Sequence, residues 1–295
     1  MVVLITGQNG FTGSYLSQEL RNHGYDVVGL KANLCDSDAI SREVSSVRPQ
    51  AVFHLAGISF VGHEHIREMY SVNLIGTYNL LAALAQQKTT LSSVILASSA
   101  TVYGDSTSGL VSETASVNPP NDYAVSKLSM EWMAKCWSAK LPIVITRPFN
   151  YTGVNQSGRF LIPKIVEHFK RRAIKVELGN IDVFREFSDV RSVAMFYRRL
   201  LEVNPVGETI NICSGRTYSI RQVIDMVSSL TRHYVKVEQN PALMRKNEIE
   251  VLGGDPSKLE NLVGACETYT LQQTLDWMLN CHSSTTPSKL HTPTE

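Results

Sequence analysis

Long apolar runs, cysteine clusters and an excess of charge of either sign are what this 295-residue chain has least of. Its five cysteines (Cys35, Cys136, Cys213, Cys266 and Cys281) are scattered, odd in number and form no CxxC or Cys/His cluster. Neither a zinc site nor a disulfide framework is expected, and a reduced, cytoplasmic setting fits best. Lys and Arg total 28 against 27 Asp and Glu, a net charge of +1. No global field therefore favours nucleic acid or an anionic membrane, and an anionic ligand has to be gripped by local groups. The opening MVVLITGQNG has no basic segment and no long apolar run, so it reads as neither a secretory leader nor a membrane span.

What is present is alternation. VVLIT (2–6), DVVGL (26–30), AVFHLAG (51–57), SVILASS (93–99) and PIVITRP (142–148) are continuous apolar runs of the kind that form buried parallel strands. Amphipathic helical patterns near 12–23, 37–47, 67–88 and 122–140 separate them. The expected fold is α/β, a Rossmann-type doubly wound parallel sheet with a small C-terminal lobe. After about residue 150 the pattern loosens. Helices are expected near 159–172, 190–202 and over SIRQVIDMVSSL, with a late strand in 207–215. The sheet domain is expected to comprise 1–150 plus elements from about 189–215, and the lobe 151–188 and 216–281. The Ser/Thr/Pro-rich 282–295 reads as a disordered tail.

VVLITGQNGFTGSYL is a strand, a turn carrying Gly7, Gly10 and Gly13, and a helix. Such glycines permit a tight turn and let backbone N–H groups approach a pyrophosphate at a helix N-terminus. The same pattern also suits an ordinary strand–turn–helix. An acid at the end of the second strand would bind the ribose hydroxyls of NAD, but here the strand runs into Lys31. A cation there suits a 2′-phosphate, so NADPH is favoured over NADH. Asp36 reads equally as a contact on the adenine side and as the N-cap of the helix at 37–47.

Tyr123 and Lys127, in PPNDYAVSK, stand at i and i+4 on one face of an early helical turn. An ammonium beside a phenol is expected to lower the phenol's pKa toward working pH, making the pair a proton relay. Lys127 could also bond a nicotinamide ribose. Ser99 falls at the C-terminal end of the fourth strand, where ligands bind in open α/β sheets. A lone YxxxK is common; the three residues in this order behind a GxxGxxG loop are much more specific.

TGQNGFTGSYL, HLAG, VNLIGTYNLL, SSATVYG, YAVSK and RPFN together resemble the extended short-chain dehydrogenase/reductase superfamily of nucleotide-sugar enzymes, over about residues 1–280. In the second half RPFNYTG, GNIDVFREFSDVRSV, NICSG and NPALMRKNEIEVLGGDPSKL resemble the branch of GDP-mannose 4,6-dehydratases and GDP-4-keto-6-deoxymannose reductases, and look more like the latter. The resemblance implies an NAD(P)-binding sheet domain with a sugar nucleotide held against the lobe. It implies catalytic Ser99, Tyr123 and Lys127. Cofactor contacts implied are Gly7, Asn9, Gly10, Phe11, Thr12, Gly13, Lys31, Leu34, Asp36, Leu55, Ala56, Gly57, Tyr123, Lys127 and Pro148. Substrate contacts implied are Ser59, Ser99, Thr101, Asn150, Arg159, Arg185 and Arg245. The 4,6-dehydratases of the superfamily carry an acid after the catalytic Ser or Thr, whereas this chain has Ala100 and Thr101. Neither is a general base, so dehydration is disfavoured. The expected activity is NAD(P)H-dependent reduction of the C4 keto group of a nucleotide-linked 4-keto-6-deoxyhexose, in deoxysugar or surface-polysaccharide biosynthesis, with a GDP sugar favoured and dTDP, CDP or UDP open. SSATVYG also resembles the nucleotide-sugar 4-epimerases, which stay as the alternative. A non-catalytic dinucleotide-binding regulator on the same fold has no need of the Ser–Tyr–Lys set. The short link between the second strand and ANLCD favours an exchanging co-substrate over a trapped one.

A nucleoside diphosphate needs local cations, and Arg suits bidentate phosphate bonding. Most arginines are simply solvated, and the basic run Lys170–Arg171–Arg172 reads as an exposed helix end. The resemblance places Asn73 at a buried polar position, as a helix-packing or site-supporting residue, and His54 reads as a strand-end packing residue. His63 and His65 have ligand-like spacing but no third ligand nearby, so no metal is expected. A homodimer is expected from the resemblance, through the helices at 67–88 and 122–140, with Leu128, Trp132 and Met133 facing either that interface or the core.

Overall fold

A computed structural model describes residues 1–59, 65–104, 109–244 and 250–281. The chain opens β1 (Val2–Thr6), α1 (Phe11–Asn22), β2 (Asp26–Gly29), α2 (Ser37–Val47) and β3 (Ala51–His54). A helical run follows as α3 (Ile66–Tyr70), a π turn (Ser71–Ile75) and α4 (Gly76–Gln86), then β4 (Ser93–Ala97), a short β5 (Leu110–Val111), α5 (Asp122–Lys135) and β6 (Ile143–Pro148). The second half adds β7 (Tyr151–Thr152), α6 (Leu161–Lys170), β8 (Lys175–Leu178), β9 (Phe184–Glu186), β10 (Ser188–Asp189), α7 (Val190–Val203) and β11 (Thr209–Ile212). It ends β12 (Thr217–Ser219), α8 (Ile220–Thr231), β13 (Lys236–Gln239), β14 (Val251–Gly254), α9 (Ser257–Val263) and α10 (Leu271–Asn280).

Six parallel strands form the central sheet in the order β2-β1-β3-β4-β6-β11, as the apolar runs imply. Their side chains alternate between two cores with period two. Val3, Ile5, Phe53 and Ile95 pack on the face of α1 and α7, while Leu4, Val52, Val94 and Leu96 pack on the face of α2, α4 and α5. Covering both faces is what makes these strands continuously apolar. The chain leaves β1 for β2 on one side and returns to β3 on the other. The strand order thus reverses between β1 and β3, and the crevice beyond their C-terminal ends is where ligands bind in such sheets.

The second half of the chain builds a separate apolar cluster, in which Ile165 and Phe169 of α6, Val223 and Val227 of α8 and Leu275 of α10 pack with Val176 and Leu178 of β8. β8 pairs in parallel with β13. A four-stranded sheet, β12-β9-β14-β5, joins strands of the second half to β5, which lies between β4 and α5 in sequence. The two-residue pair β7–β10 aligns Tyr151 with Ser188. Several runs stop sooner than their apolar character suggests. AVFHLAG leaves the sheet at His54 and SVILASS at Ala97, because the following residues turn into the site. The disordered tail expected at 282–295 lies outside the described residues.

Candidate active site

The glycine turn is tight for reasons the coordinates make explicit. Gly7 has φ +71°, and a Cβ on it would lie 3.0 Å from the backbone of Ala56. A Cβ on Gly13 would run into the carbonyl of Gly7 and sit 2.8 Å from the Cα of Gln8. Gly10 donates its N–H to the Gly7 carbonyl at 2.9 Å and begins α1 with no side-chain cap. Residues 7–10 and 27–31 wall a cleft of about 700 Å³. A backbone cradle at a helix N-terminus that any Cβ would fill fits the pyrophosphate of a dinucleotide. Asn9 is exposed at its rim. Phe11 and Thr12 engage a residue from the second half. Phe11 stacks on Tyr151 at 6.0 Å between ring centres, and the Thr12 hydroxyl lies 2.7 Å from the Tyr151 hydroxyl.

Two residues past the end of β2, Lys31 is exposed. Glu43 of α2 reaches back and accepts the backbone N–H of Lys31 at 2.8 Å and of Ala32 at 2.7 Å. Asp36 caps α2, its Oδ1 accepting the Ala39 N–H at 2.9 Å. The Leu34 side chain, beside the expected adenine end of the coenzyme, is turned into the core. It is buried with Ile40 and Leu80, against Gly76, and its carbonyl accepts a bond from Asn79. Leu55, Ala56 and Gly57 follow β3, Ala56 against Gly7 and Gly57 against Lys127, whose Nζ would be 3.2 Å from a Cβ there. Pro148 ends β6.

Ser99, Tyr123 and Lys127 are all buried. Ser99 caps a 3-10 turn, and its Oγ accepts bonds from the Thr101 N–H at 3.2 Å and the Thr101 hydroxyl at 2.9 Å. Asn121 caps α5, accepting the Ala124 N–H at 3.0 Å, and this fixes Tyr123 in the first turn. The Lys127 ammonium donates to the Ala97 carbonyl at 2.8 Å. The expected lowering of the Tyr123 pKa by Lys127 is opposed by burial. Burial pushes the phenol up to about 12, and a hydrogen bond with Ser99 offsets only part of this. Burial also pulls Lys127 down to about 8, opposed by Glu131. Desolvation of both groups outweighs their proximity on the helix. A phenol protonated at neutral pH is the form a proton donor requires.

Buried polar contacts brace this set. Glu131, one turn beyond Lys127, receives Arg147 Nε at 2.9 Å and Nη2 at 2.6 Å, and the guanidinium lies over the Tyr103 ring. The π turn carries Asn73, whose Oδ1 accepts the Ile58 N–H at 2.8 Å and whose Nδ2 donates to Ile58 O at 3.1 Å and Ser126 Oγ at 3.0 Å. Asn73 thereby ties the loop after β3 to α5; π turns recur at functional sites for this kind of side-chain placement. His54 lies between the Thr6 and Thr77 hydroxyls at 2.7 and 2.8 Å, and burial holds it neutral, at about 3. It packs rather than exchanges protons.

The expected substrate contacts are less fully placed. Ser59, Asn150 and Arg159 are exposed. Arg185 lies on β9, with Nη1 donating to the carbonyls of Phe184 at 2.7 Å and Glu250 at 3.3 Å. Arg245 and His63 lie outside the described residues. Sequence reading missed Tyr151, Glu43 and the Glu131–Arg147 pair. Only Glu131 left a trace, as an acid on the helix face that carries Tyr123 and Lys127. Trp132 is 59% exposed, whereas Leu128 and Met133 pack against core clusters.

The profile of the NAD dependent epimerase/dehydratase family matches residues 3–213. GDP-6-deoxy-D-talose 4-dehydrogenase of Aggregatibacter actinomycetemcomitans is 33% identical, over 90% of this chain and 92% of that one. GDP-6-deoxy-D-mannose reductase of Pseudomonas aeruginosa is 31% identical, over 94% and 96%. Among solved structures, a Burkholderia cenocepacia J2315 protein provisionally assigned as an epimerase superposes with a TM-score of 0.90 at 44% identity, covering 94% of this chain and 96% of that one. RMD from Pseudomonas aeruginosa in complex with NADPH gives 0.86 at 30% identity, covering 94% and 97%. The glycine cradle, the buried Ser–Tyr–Lys set and these matches lead to one assignment: the chain belongs to the NAD dependent epimerase/dehydratase family.

Proposed function

We propose that the protein reduces the C4 keto group of a nucleotide-linked 4-keto-6-deoxyhexose, with a GDP sugar favoured over a dTDP sugar and NADPH favoured over NADH. The carrying observation is what surrounds Ser99. Ala100 is buried and Thr101 donates to Ser99, so neither position following Ser99 supplies a carboxylate to remove a C5 proton. Proton transfer at C4 needs only the Tyr123 phenol, which is protonated at neutral pH. A nicotinamide coenzyme seated at the glycine cradle and Lys127 supplies or accepts hydride at C4. Ser99 bonds the substrate oxygen and orients it, Tyr123 delivers its proton there as charge develops, and Lys127 stabilises the resulting phenolate. Asn150, Arg159, Arg185 and Arg245 contact the sugar nucleotide. The names of the two curated relatives support redox chemistry on a GDP-6-deoxyhexose. The NADPH complex of RMD and the exposed Lys31 support the coenzyme reading. Exposed Ile75, Tyr78 and Trp132 on the helices around the π turn and α5 support a homodimer through that face.

A 4-epimerase is the second reading, supported by the Burkholderia structure's provisional assignment. Purified protein supplied with NADPH or NADH and 4-keto-6-deoxyhexoses on GDP and dTDP separates the two. Stoichiometric loss of reduced-nicotinamide absorbance with one sugar nucleotide is expected. Interconversion of UDP-hexoses with no added reductant, and no loss with any keto sugar, would overturn the reductase reading.

A further inference from the structure

Two residues beyond β2 the sequence has a lysine, yet in three dimensions that turn meets a carboxylate. Glu43 comes from the second turn of α2, twelve residues after Lys31, and its two oxygens accept the consecutive backbone N–H groups of Lys31 and Ala32 just past the strand's C-terminal tip. This tip forms one wall of the cleft whose other wall is the glycine turn. A carboxylate at the end of the second strand is the group that accepts hydrogen bonds from ribose hydroxyls in dinucleotide-binding sheets. Each carboxylate oxygen has a second lone pair beyond the one used on the backbone.

Resting on the reading that this cleft binds a nicotinamide dinucleotide, we propose that Glu43 is a coenzyme-specificity residue: it takes the part of the missing strand-end acid, opposes the 2′-phosphate that Lys31 attracts, and makes NADH a competent co-substrate. The opposition has two parts. The carboxylate's charge repels a phosphate brought to the strand end. It also occupies the Lys31 and Ala32 N–H groups, leaving the Lys31 side chain to face the phosphate without those backbone donors. The segment joining β2 to α2 is short, residues 30–36, which brings the helix close enough for a side chain in its second turn to reach back. Asp36, another acid of this segment, has its Oδ1 committed to the cap of α2.

Binding of 5′-AMP, 2′,5′-ADP, NADH and NADPH to the wild-type chain, Glu43→Gln and Lys31→Gln, followed by calorimetry with no sugar present, tests this. In the wild type the two dinucleotides should bind within about tenfold of each other, because the Glu43 carboxylate bonded to the backbone of residues 31 and 32 offsets the Lys31 cation on the cleft wall. Glu43→Gln should raise the 2′,5′-ADP to 5′-AMP affinity ratio by about tenfold, and Lys31→Gln should lower it by a similar factor. A purely structural tether would weaken all four ligands together and leave the ratio where it was. An unchanged ratio in folded Glu43→Gln overturns the proposal. Should that variant fail to fold, the wild-type comparison and Lys31→Gln decide instead: NADH binding more than about a hundredfold weaker than NADPH would overturn it. Failure of either dinucleotide to bind the wild type would instead sink the underlying coenzyme reading. Binding without sugar reduction would leave the coenzyme inference standing and remove only the proposed reaction.

Discussion

At the tips of β1 and β2 the chain presents backbone. Gly7, Gly10 and Gly13 clear space, and α1 begins with no side-chain cap. At the tips of β4 and β6 it presents buried side chains. Ser99, Tyr123, Lys127, Glu131 and Arg147 are all withdrawn from water within one region. Both regions stand on the same six-stranded sheet, yet they fail in different ways. The first is sensitive to added volume, because its function is close approach. The second is sensitive to lost or unmatched polarity, because desolvation sets the protonation of its groups. Binding and chemistry are therefore separable by mutation to an extent that a single mixed site would not allow.

The largest effect that sharpens this contrast is expected for Tyr123→Phe. Removing the hydroxyl should lower kcat by about 10²–10⁴-fold, the span of general acid catalysis, while dinucleotide affinity stays as in the wild type. Turnover and binding measured on one preparation check this. A variant keeping more than about a tenth of its turnover would remove Tyr123 as proton donor.

Lys127 gives a smaller effect that is read as stability. Its ammonium is at about 8 in the folded chain against 10.5 when unfolded. Below pH 8 both states hold the proton and the folded state bears the cost of burying it. Between pH 8 and 10.5 the unfolded state binds more protons than the folded one, so stability rises with pH. Relative to Lys127→Met, the wild type should gain at most about 3 kcal/mol across that window. Denaturant titrations of both proteins at several pH values check the slope, and using the difference between them cancels the other titrating groups. A constant difference would mean that Lys127 is not held down by burial.

The same contrast explains what was legible in the sequence. The strands of the central sheet and the glycine turn were readable because each follows from local composition: continuous apolar runs, and glycines where a Cβ has no room. Ser99, Tyr123 and Lys127 were readable as a pattern, but their electrostatics were not. Spacing on a helix shows that Tyr123 and Lys127 share a face; it does not show that both are buried, and burial reverses the direction of the phenol's shift. Glu43 was invisible for a related reason. Its carboxylate meets Lys31 only because α2 folds back over the tip of β2, a tertiary fact with no local signature. The pairs β7–β10 and β5–β14 involve two residues each, too few for a periodicity to register. The π turn at Ser71–Ile75 keeps its apolar pattern through the extra residue and so reads as plain helix.

The smallest expected effect tests the backbone side. Gly7→Ala forces a side chain into φ +71° with its Cβ 3.0 Å from the Ala56 backbone. Holding a non-glycine residue in that region costs about 1–3 kcal/mol, and the turn can relieve the contact only by moving away from the loop after β3. Global stability should fall by about 1–2 kcal/mol. Dinucleotide affinity should fall by about tenfold, because the N–H groups of the cradle shift with the turn. At saturating coenzyme kcat should return to the wild-type value, since Ser99, Tyr123 and Lys127 rest on β4 and α5. Calorimetric binding alongside turnover at high coenzyme separates these outcomes. If kcat stays low at saturation, movement of Ala56 has carried through Gly57 to Lys127, and the two regions act as one mechanical unit.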